Sequence, residues 1–161
     1  MVEVWQKSGA KAFSRLVQKS VPGPAVSVLA VELSGDSKLD LVVALAGQKN
    51  VAVLAGQAGG MLGNATTVAA GVEPRWLAAV DVNCDGLTDL LASSTTESKL
   101  GLLLNRGGGT LAPAQQIDLS SNLSGPAQAL FVRDVNFDGT ADLLVGSNQT
   151  PAYLLIANIS P

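Results

Sequence analysis

The sequence predicts an all-β fold assembled from small antiparallel sheets of four strands, on three observations. Its apolar stretches are short, about four to eight residues, and are bounded by Gly, Asn, Ser and Pro, a pattern that favours strands over helices of ten residues or more. Seventeen glycines punctuate 161 residues, and hydrophobic residues reach 47% against 14% charged, far from the composition of a disordered chain. A unit of about fifty residues also recurs.

The recurring unit opens on a proline and an apolar strand, as in PAVSVLAVELSGDSKLDLVVALA from Pro24, PRWLAAVDVNCDGLTDLLASS from Pro74 and PAQALFVRDVNFDGTADLLVGS from Pro126. An acidic loop follows and closes on Asp40, Asp89 or Asp142, positions 49 and 53 residues apart. A second apolar strand leaves the loop. A third comes as NVAVLAG from Asn50, LGLLLN from Leu100 and AYLLIAN from Ala152, and after the first two a Gly-rich turn leads to a polar fourth strand. A period of one small sheet points to propeller blades.

Residues 1–23 fit the same frame as a third and fourth strand, although Lys7, Lys11, Arg15 and Lys19 also recur at helical spacing. Gly9 and the register with the later units favour strands. The expected division is a partial blade at 1–23, blades at 24–73 and 74–125, and a partial blade at 126–161, in one domain. Trp5, Trp76 and Tyr153, lying on strands, are expected in the core.

Composition excludes several function classes. Net charge is −3, and sequence-independent nucleic-acid binding needs clustered Lys and Arg. There is no histidine and Cys84 is the only cysteine, which removes Ser-His-Asp hydrolases, ordinary zinc sites and an internal disulfide. No apolar run approaches the roughly 18 to 20 residues of a membrane span. The opening MVEVWQKSGAK lacks the basic start and apolar core of a signal peptide. Outside the loops only Glu3, Glu73, Glu97 and Asp118 are acidic, and they are scattered, so the paired carboxyls of a glycosidase are not evident and no enzyme is expected.

Charge is concentrated in the loops. In DVNCDGLTD, residues 81–89, three aspartates share nine positions and repel one another unless a cation neutralises them. Hard oxygen donors select calcium. Alternation turns the odd positions inward, so the candidate ligands are Asp81, Asn83, Asp85, the Leu87 carbonyl and Asp89. In the last loop they are Asp134, Asn136, Asp138, the Thr140 carbonyl and Asp142. Gly86 and Gly139 permit the sharp turn by taking positive φ. The first loop offers Glu32, Ser34, Asp36, Lys38 and Asp40 but has Ser37 at the turn, and a serine in the left-handed region costs about 1 kcal/mol. Two calcium sites are expected, with the first loop a candidate third. An EF-hand is excluded because its twelfth position needs a glutamate and here holds Ala92 or Val145. Dockerin-like modules need a helix after the loop and a closer pair of copies.

The motif D-x-N-x-D-G-x-x-D-L-L within such a unit, followed by LLLNRGGGTLAPA, resembles the FG-GAP or VCBS repeats, the blades of integrin-α-type β-propellers. The likeness runs from Val2 to about Ser160 and is closest in the second and third units. Where the family has a phenylalanine in the turn between third and fourth strands, this chain has Leu62 or Leu111, and Phe13 in the first segment. The resemblance implies a calcium-stabilised blade with the metal loop between its first two strands, mostly in extracellular or cell-surface proteins. It implies service in adhesion and in recognition of a protein or glycan partner, with a place beside the catalytic domain of a secreted polysaccharide-active enzyme, or as a structural spacer, as alternatives. Three blades do not close a ring. The remainder of a longer chain, or a second copy forming a homodimer, are the two ways left open to complete one.

Overall fold

A computed structural model describes residues 1–94 and 96–149, and the backbone of 153–156. Among the described residues thirteen strands fall into four antiparallel sheets. The first pairs β1 (Val2–Lys7) with β2 (Phe13–Lys19). The second runs in order β3 (Ala25–Val31), β4 (Asp40–Leu45), β5 (Asn50–Gly56) and β6 (Leu62–Ala69). The third contains β7 (Pro74–Val80), β8 (Asp89–Ser94), β9 (Lys99–Leu103) and β10 (Gln115–Asp118). The last contains β11 (Ala129–Arg133), β12 (Asp142–Gly146) and β13 (Tyr153–Ile156). The fold is all-β with blade-like sheets, and residues 1–23 form a hairpin rather than a helix.

Alternation places each sheet between its neighbours. On β4, Val43 and Leu45 pack toward the first sheet with Val17, Ala52 and Leu54, whereas Val42 packs toward the third sheet with Val53, Leu90 and Leu103. On β8, Leu90 faces back to the second sheet and Leu91 faces forward to Leu130, Leu143 and Val145 of the last. The second and third sheets are therefore apolar on both faces, which is why β4, β5 and β8 read as continuous hydrophobic runs. The core consists of three layers, one between each successive pair of sheets.

Polar links join the sheets as well. The Ala114 amide donates to the Ala69 carbonyl at 3.2 Å, and Lys49 pairs with Glu97 at 3.0 Å. Close approach needs glycine on β9, because a Cβ on Gly101 would lie 1.9 Å from the Ala70 carbonyl oxygen.

The aromatic residues depart from expectation. Trp5 and Trp76 are about half exposed, at 54% and 48%, whereas Val, Leu and Ala fill the layers. The side chain of Tyr153 lies outside the described residues. Leu62 and Leu111 are buried after their turns, whereas Phe13 is exposed. Among the described residues no helix is long and apolar enough to cross a membrane.

Candidate metal centre: the acidic loops

Each acidic loop joins the first two strands of its sheet, β3 to β4, β7 to β8 and β11 to β12. The loops share a backbone path with two left-handed residues. At the sixth position these are Ser37, Gly86 and Gly139, with φ of 63°, 83° and 87°. The loop sequences predict that turn, including the strained serine. They do not reveal a second left-handed residue at the fourth position, where Gly35, Cys84 and Phe137 have φ of 79°, 57° and 61°. Asn, Asp or Gly usually mark such positions, so a cysteine and a phenylalanine give no signal. The first loop thus has its glycine at the fourth position and strain at the sixth, and the other two loops have the reverse.

This path turns successive amides toward the first acid. The Asp85 and Gly86 amides donate to Asp81 at 3.2 and 2.8 Å, the Phe137 and Gly139 amides to Asp134 at 2.7 and 3.0 Å, and the Gly35 and Asp36 amides to Glu32 at 2.6 and 3.2 Å. Concave runs of amides of this kind stabilise negative charge. The middle acid is fixed by the residues on either side. Asn83 Nδ2 donates to Asp85 at 2.9 Å and Asn136 Nδ2 to Asp138 at 3.0 Å. The Leu87 and Thr140 amides each donate to the same acids at 2.8 Å. The Thr140 hydroxyl and amide hold the Asp138 carboxyl below its ordinary titration range.

The ninth position behaves differently. Asp40, Asp89 and Asp142 are buried, Asp89 completely at 0% exposed. Asp89 Oδ2 accepts the Val82 amide at 3.0 Å, and its Oδ1 accepts the Asn105 amide at 2.7 Å from beyond β9. Asp40 repeats the arrangement with the Leu33 and Gly56 amides, at 3.0 and 2.7 Å. Asp142 accepts the Val135 amide at 2.9 Å. These aspartates fasten the loop to the blade.

Asn105 is a buried polar residue that sequence reasoning passes over. Its Nδ2 donates to the Leu33 carbonyl at 2.9 Å and the Thr88 carbonyl at 3.1 Å, and its Oδ1 accepts the Gly107 amide at 2.9 Å. One side chain therefore ties the first loop, the second loop and the turn after β9. Its spacing of sixteen residues from Asp89, matched by Gly56 after Asp40, is the only trace in the sequence.

The first loop carries its own cation. Lys38 Nζ lies 2.6 Å from Asp36 Oδ2, and this contact, with the Lys38 amide, lowers the Asp36 titration range. The other two loops have Leu87 and Thr140 at that position.

The oxygens at positions one, three and five fit a hard cation in chemistry, since each carboxylate oxygen retains a lone pair beyond its amide bond. Among the described residues, no three acidic side chains are drawn around a single point. The ninth-position carboxylates belong to the backbone network first.

No curated protein sequence matches the chain. Among solved structures it is similar to the Photorhabdus luminescens Tc holotoxin pore, with a TM-score of 0.57 and 20% identity, over 94% of this chain and 8% of that one. The likeness supports the blade-like sheet arrangement and extends to a small fraction of that chain's length. The FG-GAP-like repeat family matches residues 81–145. This chain accordingly carries an FG-GAP-like repeat, beginning on the first aspartate of the second acidic loop and ending in the strand that leaves the third.

Proposed function

We propose that the chain is a calcium-stabilised recognition module, exposed outside the cell, that binds a protein or glycan partner and performs no chemistry of its own. The observation that carries the calcium reading is the repeated oxygen set on a common backbone path, where a third loop of the same shape has Lys38 in place of an external cation. Asp81, Asn83, Asp85 and the Leu87 carbonyl would hold one ion, and Asp134, Asn136, Asp138 and the Thr140 carbonyl a second. Asp89 would join its set only by sharing oxygens that already accept amides, and Asp142 has one oxygen that accepts the Val135 amide. Bound calcium would offset the repulsion among the loop carboxylates and stiffen the blade.

The acids outside the loops support binding over catalysis. Glu3 pairs with Arg15, Glu97 with Lys49 and Lys99, Glu73 accepts the Gly47 amide and Asp118 the Ser120 amide. Each therefore has a structural partner, and no two are set as an acid and base pair.

Calorimetric titration with calcium, paired with thermal unfolding in calcium and in EDTA, tests the reading. Two ions per chain and a higher unfolding temperature in calcium are expected. Absence of heat and of any stability change at millimolar calcium overturns it.

A further inference from the structure

Asn105 holds the peptide that lies between two candidate ligand positions of the second loop. Its Nδ2 donates to the Thr88 carbonyl at 3.1 Å, with the Leu87 carbonyl at position seven on one side and Asp89 at position nine on the other. Its backbone amide donates to Asp89 Oδ1 as well. The same Nδ2 crosses the junction between sheets to the Leu33 carbonyl at 2.9 Å, in the first loop. Its Oδ1 takes the Gly107 amide, so both ends of this buried side chain are committed.

The partner in the first loop is equally fixed. The Leu33 amide donates to Asp40 Oδ2 at 3.0 Å, its carbonyl also accepts the Gly109 amide at 3.2 Å, and its side chain packs with Leu90, Leu103 and Leu111. Residues 105–111 form a closed turn, with a bridge between Asn105 and Leu111 and a 2.8 Å bond from the Arg106 amide to the Thr110 carbonyl. The turn stands between the two loops and is bonded to each. One side chain therefore separates the Thr88 peptide from the Leu33 peptide, and coupling travels through bonded, packed contacts of this kind.

We propose that Asn105 couples the second acidic loop to the first, so that calcium held by Asp81, Asn83, Asp85 and the Leu87 carbonyl tightens the junction between the second and third sheets. The inference rests on the calcium reading above and adds to it the route by which one loop acts on the next blade. A cation drawing on the Leu87 carbonyl fixes the adjoining Thr88 peptide, and a fixed acceptor holds Asn105 against Leu33. By linkage, the intact junction strengthens calcium binding by the same factor. Asn105 is a positioning residue here, acting through the Thr88 peptide and Asp89. The first loop already has Lys38 on Asp36, so a calcium response there reports the coupling.

The test uses the whole chain carrying Asp134→Asn, which leaves the second loop as the calcium site. Amide hydrogen exchange is read by NMR in calcium and in EDTA, beside calorimetric titration. Calcium is expected to slow exchange at Gly86 and Leu87, whose amides bond Asp81 and Asp85, and also at Leu33, Gly35 and Gly109, by about fivefold or more. Adding Asn105→Ala should keep the response at Gly86 and Leu87, remove it at Leu33 and Gly35, and weaken calcium binding about fivefold or more. A merely structural asparagine would lower the unfolding midpoint and leave calcium affinity unchanged. The Asp134→Asn chain alone decides the coupling if Asn105→Ala does not fold. A response at Gly86 and Leu87 with none at Leu33, Gly35 and Gly109 overturns the coupling and leaves the calcium reading standing. A first-loop response that persists in Asn105→Ala overturns the role of Asn105. No response to calcium at any of these amides overturns the calcium reading, and the coupling with it.

Discussion

Asp89 Oδ1 accepts the backbone amide of Asn105 at 2.7 Å, joining the end of the second acidic loop to the chain beyond β9. The carboxylate is fully buried and its other oxygen takes the Val82 amide, so two charge-assisted bonds depend on one side chain. Asp89→Ala leaves one buried and one part-buried amide without acceptors and is expected to cost about 3 kcal/mol. Asp89→Asn cannot accept at both positions and should recover only part of that loss. Urea unfolding in EDTA measures the effect with metal contributions removed. Asp81→Asn under the same conditions should cost less than about 1 kcal/mol, because Asp81 lies in an exposed loop.

Calcium should narrow that difference in sensitivity. At ten times its dissociation constant, one ion adds about 1.4 kcal/mol by mass action. Asp81→Asn and Asp134→Asn should each remove one ion from the calorimetric stoichiometry, and together abolish the rise in unfolding temperature.

The left-handed positions predict a stability pattern that the loop composition hides. Gly139→Ala places a Cβ at φ 87° and is expected to destabilise by about 1 kcal/mol. Phe137→Gly relieves φ 61° and withdraws a ring that is 90% exposed, so it should be neutral or stabilising despite losing a large apolar side chain. Paired urea titrations in EDTA would check the opposite signs.

The Lys49 to Glu97 contact should be visible in a pH titration. Hydrogen bonding to Lys49 holds the Glu97 carboxyl below its ordinary range. A carboxyl with a depressed folded-state pKa contributes stability that is present above its unfolded value and fades as pH falls through the folded one. Lys49→Met should therefore raise the Glu97 midpoint, read by carboxyl-carbon NMR, and reduce the loss of stability on acidification.

The layer between the third and last sheets should be sensitive to volume. Leu91 packs there with Leu130, Leu143 and Val145, and Leu91→Ala is expected to cost about 2 to 5 kcal/mol in thermal or urea unfolding.

Much of this fold is legible in the chain because strand alternation, glycine punctuation and a fixed period are local signals. They locate the first two strands of each unit, the acidic loop between them and the hairpin of residues 1–23. The loop's odd positions are equally legible, because carboxylates at regular spacing in one short bend repel one another and call for a counter-charge. What the local pattern does not contain is which of those oxygens is buried. Asp81 and Asp89 look alike as letters, yet one lies in an exposed loop and the other in the interior, because only the folded blade brings the Asn105 amide to Asp89. Asn105 itself carries no local mark of its role, since the two carbonyls its Nδ2 binds, Leu33 and Thr88, come from the two preceding acidic loops.

The sequence by itself determined the strands, their repeat and the placement of the oxygen-rich bends, since these follow from side-chain periodicity and backbone freedom along the chain. Only the tertiary structure decided that the ninth aspartate anchors the blade and that Trp5 and Phe131 are exposed. Those outcomes depend on burial and on partners supplied from other parts of the chain, and neither is encoded in the spacing of nearby residues.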